Sequence, residues 1–189
     1  FQADSEVRII GKNAFSNSMI TNISIPQHVS TICENAFSDC SLLSQINFHK
    51  NSELITIGEQ SFSCCAIESI IIPSNVSEIS PKAFYYCRQL KNIEFSENSE
   101  LKVIGNKAFF STQIESITIP SNVVELKDGW NTGMSNLKSI KIAENGKLPL
   151  KNSDDGKFIF GKIDPNSDEY DLLFFSNKDI TEVTIPPFI

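Results

Sequence analysis

Phenylalanine returns on a fixed schedule in this chain, at Phe15, Phe37, Phe62, Phe84 and Phe109, with intervals of 22, 25, 22 and 25 residues. Around each Phe the same frame recurs, V/L-x-x-I-G/C/S-x-x-A-F-x-x-C/S/T-x-x-L/I-x-x-I-x-I/F, as in VSTICENAFSDCSLLSQINF and VSEISPKAFYYCRQLKNIEF. A sixth copy, VVELKDGWNTGMSNLKSIKI, keeps the aliphatic positions but lacks the Ala-Phe pair and offers Trp130 one place away. A repeat this short cannot bury its apolar face alone, so the copies must stack into a solenoid.

The segment L-x-x-I-x-I alternates apolar and polar residues, as a half-buried strand does. This predicts a leucine-rich-repeat solenoid with strands at 20–25, 43–48, 67–72, 90–95, 114–119 and 137–142, and a seventh at 180–185. They are expected to form one parallel sheet on one face, with Phe-lined irregular or short helical segments opposite and the Phe rings stacked inside. Short repeats leave the strand through Ile-Pro, at Ile25-Pro26, Ile72-Pro73 and Ile119-Pro120, whereas long ones leave through the polar turns HKNSE, SENSE and AENGK. Proline fixes φ and removes a donor, which ends a strand sharply. The structural unit is therefore a pair of repeats. Gly11, Gly58 and Gly105 recur in the short repeats only, and are expected at corners with positive φ. After Lys147 the pattern breaks, and Phe158–Ile163 and Tyr170–Phe175, preceded by Asp155-Gly156, read as an inserted β-hairpin. The chain divides into six repeats (1–147), the hairpin insertion (148–179) and the strand of a further repeat (180–189). It opens without Met and stops where the motif elsewhere leads into the next repeat, and so reads as one solenoid fragment of a longer protein.

A net charge of −7 opposes binding to nucleic acid, which requires a clustered basic footprint. No apolar run approaches the roughly 20 residues that span a bilayer as a helix, so direct membrane insertion of this fragment is not expected. The five cysteines form neither a C-x-x-C motif nor a Cys/His cluster, and so suggest neither a zinc site nor a disulfide framework. Cys40, Cys65 and Cys87 share one repeat position; a buried thiol ladder is favoured, with one bridge between neighbouring rungs as the alternative. No nucleophile–base pair or ligand set is visible, so no catalytic residue, metal or cofactor is assigned.

The motif I-G-x-x-A-F-x-x-C-x-x-L-x-x-I-x-I-P, with its inserted D-G-K-F-I-F hairpin, resembles the BspA-like leucine-rich repeats over nearly the whole chain, most strongly over 7–147. The resemblance implies a non-catalytic binding module of a cell-surface or secreted protein. Its partner would be a host-cell or matrix protein or another microbe's surface, bound in adhesion. The family has no fixed functional residues to transfer. An intracellular protein-interaction scaffold built from the same repeats is the alternative.

Solenoids bind along extended surfaces, so the outward strand positions Asn47, Ile71, Glu94, Thr118 and Lys141 are the candidate partner-binding residues. A neighbouring row reads Thr21, Ser44, Glu68, Lys91, Glu115 and Lys138. Its last four alternate in sign, which favours in-register stacking by about 0.2–1 kcal/mol per neighbouring pair. Asn22 and Asn75 begin N-x-S sequons and are candidate glycosylation sites in a secreted chain. Tyr85, Tyr86 and Phe110 fit either an exposed aromatic patch or packing between coils. Asp164, Asn166 and Asp168 imitate the opening of a calcium loop, but Glu169 and Phe175 stand where Gly and a bidentate Glu are required. His28 and His49 read as loop residues. Apolar faces at the open ends make end-to-end self-association a further expectation.

Overall fold

The structure, a computed structural model, describes residues 5–148 and the backbone of strands Leu150–Asn152, Phe158–Lys162 and Tyr170–Phe175. Six coils are stacked in sequence. Each enters through a two-residue strand (Ile9–Ile10, Thr31–Ile32, Thr56–Ile57, Glu78–Ile79, Val103–Ile104 and Glu125–Leu126) and bends through the Ala-Phe segment or its counterpart. It returns through a four-residue strand: Asn22–Ile25, Gln45–Phe48, Ser69–Ile72, Asn92–Phe95, Ser116–Ile119 and Ser139–Ile142. These strands begin two residues later than the sequence predicts. The leading Leu43, Leu90 and Leu137 instead close turns, donating their N–H to the carbonyls of Cys40, Cys87 and Met134.

The entry strands were not anticipated as strands, yet they form an unbroken six-stranded parallel sheet. Its register aligns the buried Ile10, Ile32, Ile57, Ile79 and Ile104. The return strands, expected as one ladder, form three separate parallel pairs: first coil with second, third with fourth, fifth with sixth. The reason is in the sequence. His49, Ser96 and Ala143 each donate a main-chain N–H to the coil before, to Ile25, Ile72 and Ile119, at 3.2, 3.0 and 3.0 Å. The same position in the third and fifth coils is Pro73 and Pro120, which have no N–H to give to Phe48 and Phe95. Side chains bridge these two breaks lower down, where Asn75 and Asn122 donate their amide N–H to the carbonyls of Ser52 and Ser99 at 3.0 and 2.8 Å.

Opposite the return strands, the expected short helical segments are absent among the described residues. Two left-handed residues flank each Phe of the first five coils: Asn13 and Asn17, Asn35 and Asp39, Gln60 and Cys64, Lys82 and Tyr86, Lys107 and Ser111. A helix cannot run through such residues. The main-chain donors point to the next coil instead, as Phe37 N–H does to the Ser61 carbonyl at 2.7 Å and Phe62 N–H to Ala83 at 2.9 Å. Inside, the rings stack as expected. Centroids of Phe15, Phe37, Phe62, Phe84 and Phe109 follow one another at 5.0, 5.2, 5.5 and 5.7 Å with planes within 11° of parallel. Trp130, standing at the Ala position of the sixth coil, ends the column edge-on to Phe109 at 6.5 Å.

The thiols of Cys40, Cys65 and Cys87 are buried and donate to the carbonyls of Phe15, Phe37 and Phe62 at 2.9, 3.1 and 3.0 Å. All five cysteines are free, so the alternative bridge is not formed. Burial pushes the Cys87 thiol up to about 12; sharing a hydrogen bond with Cys40, and then burial, raises that of Cys65.

The glycines require a correction. Neither Gly58 nor Gly105 has positive φ; each is needed because the coil before it comes too close. A Cβ on Gly58 would lie 2.6 Å from the Ile32 carbonyl oxygen, and one on Gly105 2.5 Å from Pro81 N, whereas one on Gly11 meets nothing within 4 Å. Phe158–Lys162 and Tyr170–Phe175 pair antiparallel as anticipated, with Leu150–Asn152 as a third strand. Asp155-Gly156, the calcium-like stretch Asp164–Asp168 and the strand expected at 180–185 lie outside the described residues.

Four substitutions separate these contributions in denaturant unfolding of the chain. Phe62→Ala removes the middle ring of the column and should cost about 3–5 kcal/mol. Ser61→Ala should stabilise by about 1 kcal/mol, because its buried hydroxyl has no hydrogen-bond partner and the other four Phe-bearing coils carry Ala there. Gly58→Ala should destabilise by about 1–3 kcal/mol, while Gly11→Ala should stay within about 0.5 kcal/mol of the parent.

Candidate binding face

The return strands present alternate residues outward, and the candidates fall where the alternation predicts. Asn47, Ile71, Glu94, Thr118 and Lys141 are all exposed, while Ile46, Ile70, Ile93, Ile117 and Ile140, one residue earlier, are buried. Within pairs they sit side by side, Ile71 opposite Glu94 and Thr118 opposite Lys141.

The breaks in the sheet divide this face in a way sequence reasoning missed. Between Gln45–Phe48 and Ser69–Ile72 lies an open groove of about 480 Å³, with Asn47 and Ile71 among its lining residues. Between Asn92–Phe95 and Ser116–Ile119 lies its equivalent, of about 590 Å³, which includes Glu94 and Thr118. Four of the five candidates are thereby brought together in two groups, and Lys141 stands apart on the sixth coil. The signal was present in the sequence as Pro73 and Pro120, each missing the donor that a continuous ladder requires.

The row of alternating charges is realised at its end. Lys138 Nζ lies 2.7 Å from Glu115 Oε2, both side chains being exposed. Hydrogen bonding to Lys138, its charge, and the charge of Lys91 hold the Glu115 carboxyl below its usual range. His28 is not an isolated loop residue. Its Nδ1 lies 3.0 Å from Glu53 Oε1 in the next coil, which is a tie between coils. His49 Nδ1 accepts the Asn51 main-chain N–H at 3.2 Å.

Tyr85 and Phe110, in adjacent coils, stack at 4.9 Å, with Tyr86 edge-on to both. Arg88 lies over Tyr86 at 4.9 Å and Lys107 over Phe110 at 5.9 Å. All three rings are half-buried, so the cluster both packs the coils together and leaves one side open. The two sequons differ: Asn22 is exposed and its amide bonds only to the neighbouring Thr21 hydroxyl, whereas the nitrogen of Asn75 that would carry a glycan is bonded across the sheet break to Ser52. Among the described residues no group of three or more His, Cys, Asp or Glu is placed to hold a metal, and no helix is long and apolar enough to cross a membrane.

Comparison with known proteins follows the same lines. The BspA type leucine rich repeat region matches residues 8–138 in six copies. Among solved structures, the pneumococcal vaccine antigen PcpA is 27% identical with a TM-score of 0.74, the match covering 82% of this chain and 40% of that one. A leucine-rich repeat protein from Bacteroides ovatus ATCC 8483 is 30% identical with a TM-score of 0.66, over 75% of this chain and 37% of its own. A leucine rich cell surface protein from Faecalibacterium prausnitzii A2-165, 22% identical with a TM-score of 0.65 over 90% of this chain and 50% of its own, shares the fold. The chain thus spans half or less of the length of each of these structures. No curated protein matches it.

If the Glu115–Lys138 pair sets the carboxyl, Lys138→Ala should return its titration upward toward the ordinary carboxylate range, read by NMR of the Glu115 side chain. The depressed carboxyl contributes above its unfolded value and loses that contribution as pH falls through the folded one. The variant should therefore show a weaker acid dependence of stability near that range.

Proposed function

The chain belongs to the BspA type leucine rich repeat family, and from that premise we propose that it is a non-catalytic protein-binding module of a cell-surface or secreted protein, acting in adhesion to host cells, matrix or other microbes. The observation that carries this reading is the return-strand face itself. Its inward positions are buried in the core, while the outward positions Asn47, Ile71, Glu94, Thr118 and Lys141 are exposed to solvent. Ile71 is an apolar residue left 58% exposed on that face. The antigen and cell-surface descriptions of the structural neighbours support the location. The residues proposed to meet a partner are Asn47, Ile71, Glu94, Thr118 and Lys141.

A second reading, an intracellular interaction scaffold, is favoured by one observation: all five thiols are free, which a reducing compartment maintains without effort. Surface labelling of the full-length protein in its own cell, with binding of the purified chain to host cells and immobilised matrix proteins in parallel, separates the two. Surface exposure with saturable binding is the expected result. An internal location and no affinity for any of these would sink the adhesin reading and leave the scaffold.

A further inference from the structure

The two grooves are one construction used twice, and their charges differ in a way that specifies a ligand. Every 47 residues the same elements recur: Phe48 and Phe95 at the strand end, Pro73 and Pro120 across the gap, Ser52 and Ser99 at the far end. The residues lining the first groove include His49 and Lys50 and no carboxylate. Those lining the second include Glu94 and no cation. At the position where the first groove has Lys50, the second has the exposed Glu97 just outside its rim. No described ion pair engages Lys50, Glu94 or Glu97. With Nδ1 of His49 accepting from Asn51, the neutral imidazole carries its proton on Nε2, adding a donor to the first groove.

Resting on the protein-binding reading above, we propose that the grooves form one bipartite site for an extended segment of a partner protein. The segment crosses the strands along the solenoid axis, with a carboxylate side chain at the His49–Lys50 end of the first groove and an Arg or Lys side chain at Glu94 and Glu97 of the second. Equivalent positions in the two grooves are two coils apart. Successive coils advance by 5.2 and 5.5 Å between Phe37, Phe62 and Phe84, so Lys50 and its equivalent Glu97 are about 11 Å apart along the axis. A polyproline II segment rises about 3.1 Å per residue and returns a side chain to the same face every third residue. An acidic and a basic residue at i and i+3 of such a segment therefore span the grooves, whereas a flat β-strand would turn them to opposite faces. The main-chain carbonyls of Phe48 and Phe95, which Pro73 and Pro120 cannot serve, offer acceptors to the same ligand.

The test uses the whole chain and the peptide acetyl-Pro-Pro-Asp-Pro-Pro-Arg-Pro-Pro-amide, followed by amide NMR shifts. Expected are shifts at residues lining both grooves, at least tenfold weaker binding of the peptide with Ser at both charged positions, and a similar loss for Lys50→Glu and for Glu94→Lys. All sites are exposed, and the far-ultraviolet spectrum checks that each variant folds. Shifts confined to other surfaces, or equal binding of the Ser peptide, would overturn the proposal. The Lys50→Glu/Glu94→Lys double variant is also assayed against immobilised matrix proteins. If it binds a protein as tightly as the parent does, the groove site fails while the binding-module reading stands; if the parent binds no protein at all, that reading fails instead.

Discussion

Each coil must hand main-chain hydrogens to its neighbour at fixed heights, because a buried amide without a partner costs as much as a lost hydrogen bond. Along the entry strands and the Ala-Phe turns, these donors run from coil to coil through the described solenoid, and the Phe column can stack because they hold the spacing. On the return face the same demand is met only at every second step. Pro73 and Pro120 remove the donor where His49, Ser96 and Ala143 provide it. The solenoid stays continuous on two faces and is cut into pairs on the third.

That asymmetry gives the face its relief. A continuous ladder would present a plain surface of alternating side chains; the breaks turn it into a ridged one, with grooves whose walls are strand edges. Strand edges invite pairing. Here they are short, four residues each, and their polar lining of mostly Ser, Asn, Gln and Thr disfavours edge-to-edge association. The amides of Asn75 and Asn122 brace the gaps from below and keep the coils from separating where the main chain does not bind them.

Much of this was legible in the residues. Phe spacing gives the coil length, the alternation Ile23-Ser24-Ile25 assigns inward and outward positions, and register follows because equivalent residues stack. Other features needed three dimensions. Gly58 looks like a turn glycine in sequence, and only the approach of Ile32 and Cys33 shows that it is a contact glycine. The entry strands are two residues long, too short for a period-two pattern to register. The turns around Phe37 or Phe84 resemble a helix start in composition, but Asn35, Asp39, Lys82 and Tyr86 adopt left-handed conformations that no local pattern announces in Lys or Tyr. Pro73 ends its strand, as its place after Ile72 predicts. That it also denies a bond to the preceding coil depends on knowing which carbonyl it faces.

The interrupted ladder can be observed directly by amide hydrogen exchange. Strand alternation puts the N–H groups of Ile71 and Thr118 on the side of Pro73 and Pro120, toward the gaps, and those of Glu94 and Lys141 on the side of Ser96 and Ala143, toward a paired strand. Ile71 and Thr118 should exchange at least tenfold faster than Glu94 and Lys141. Equal protection at all four would mean that the sheet is continuous and that the grooves do not exist in solution.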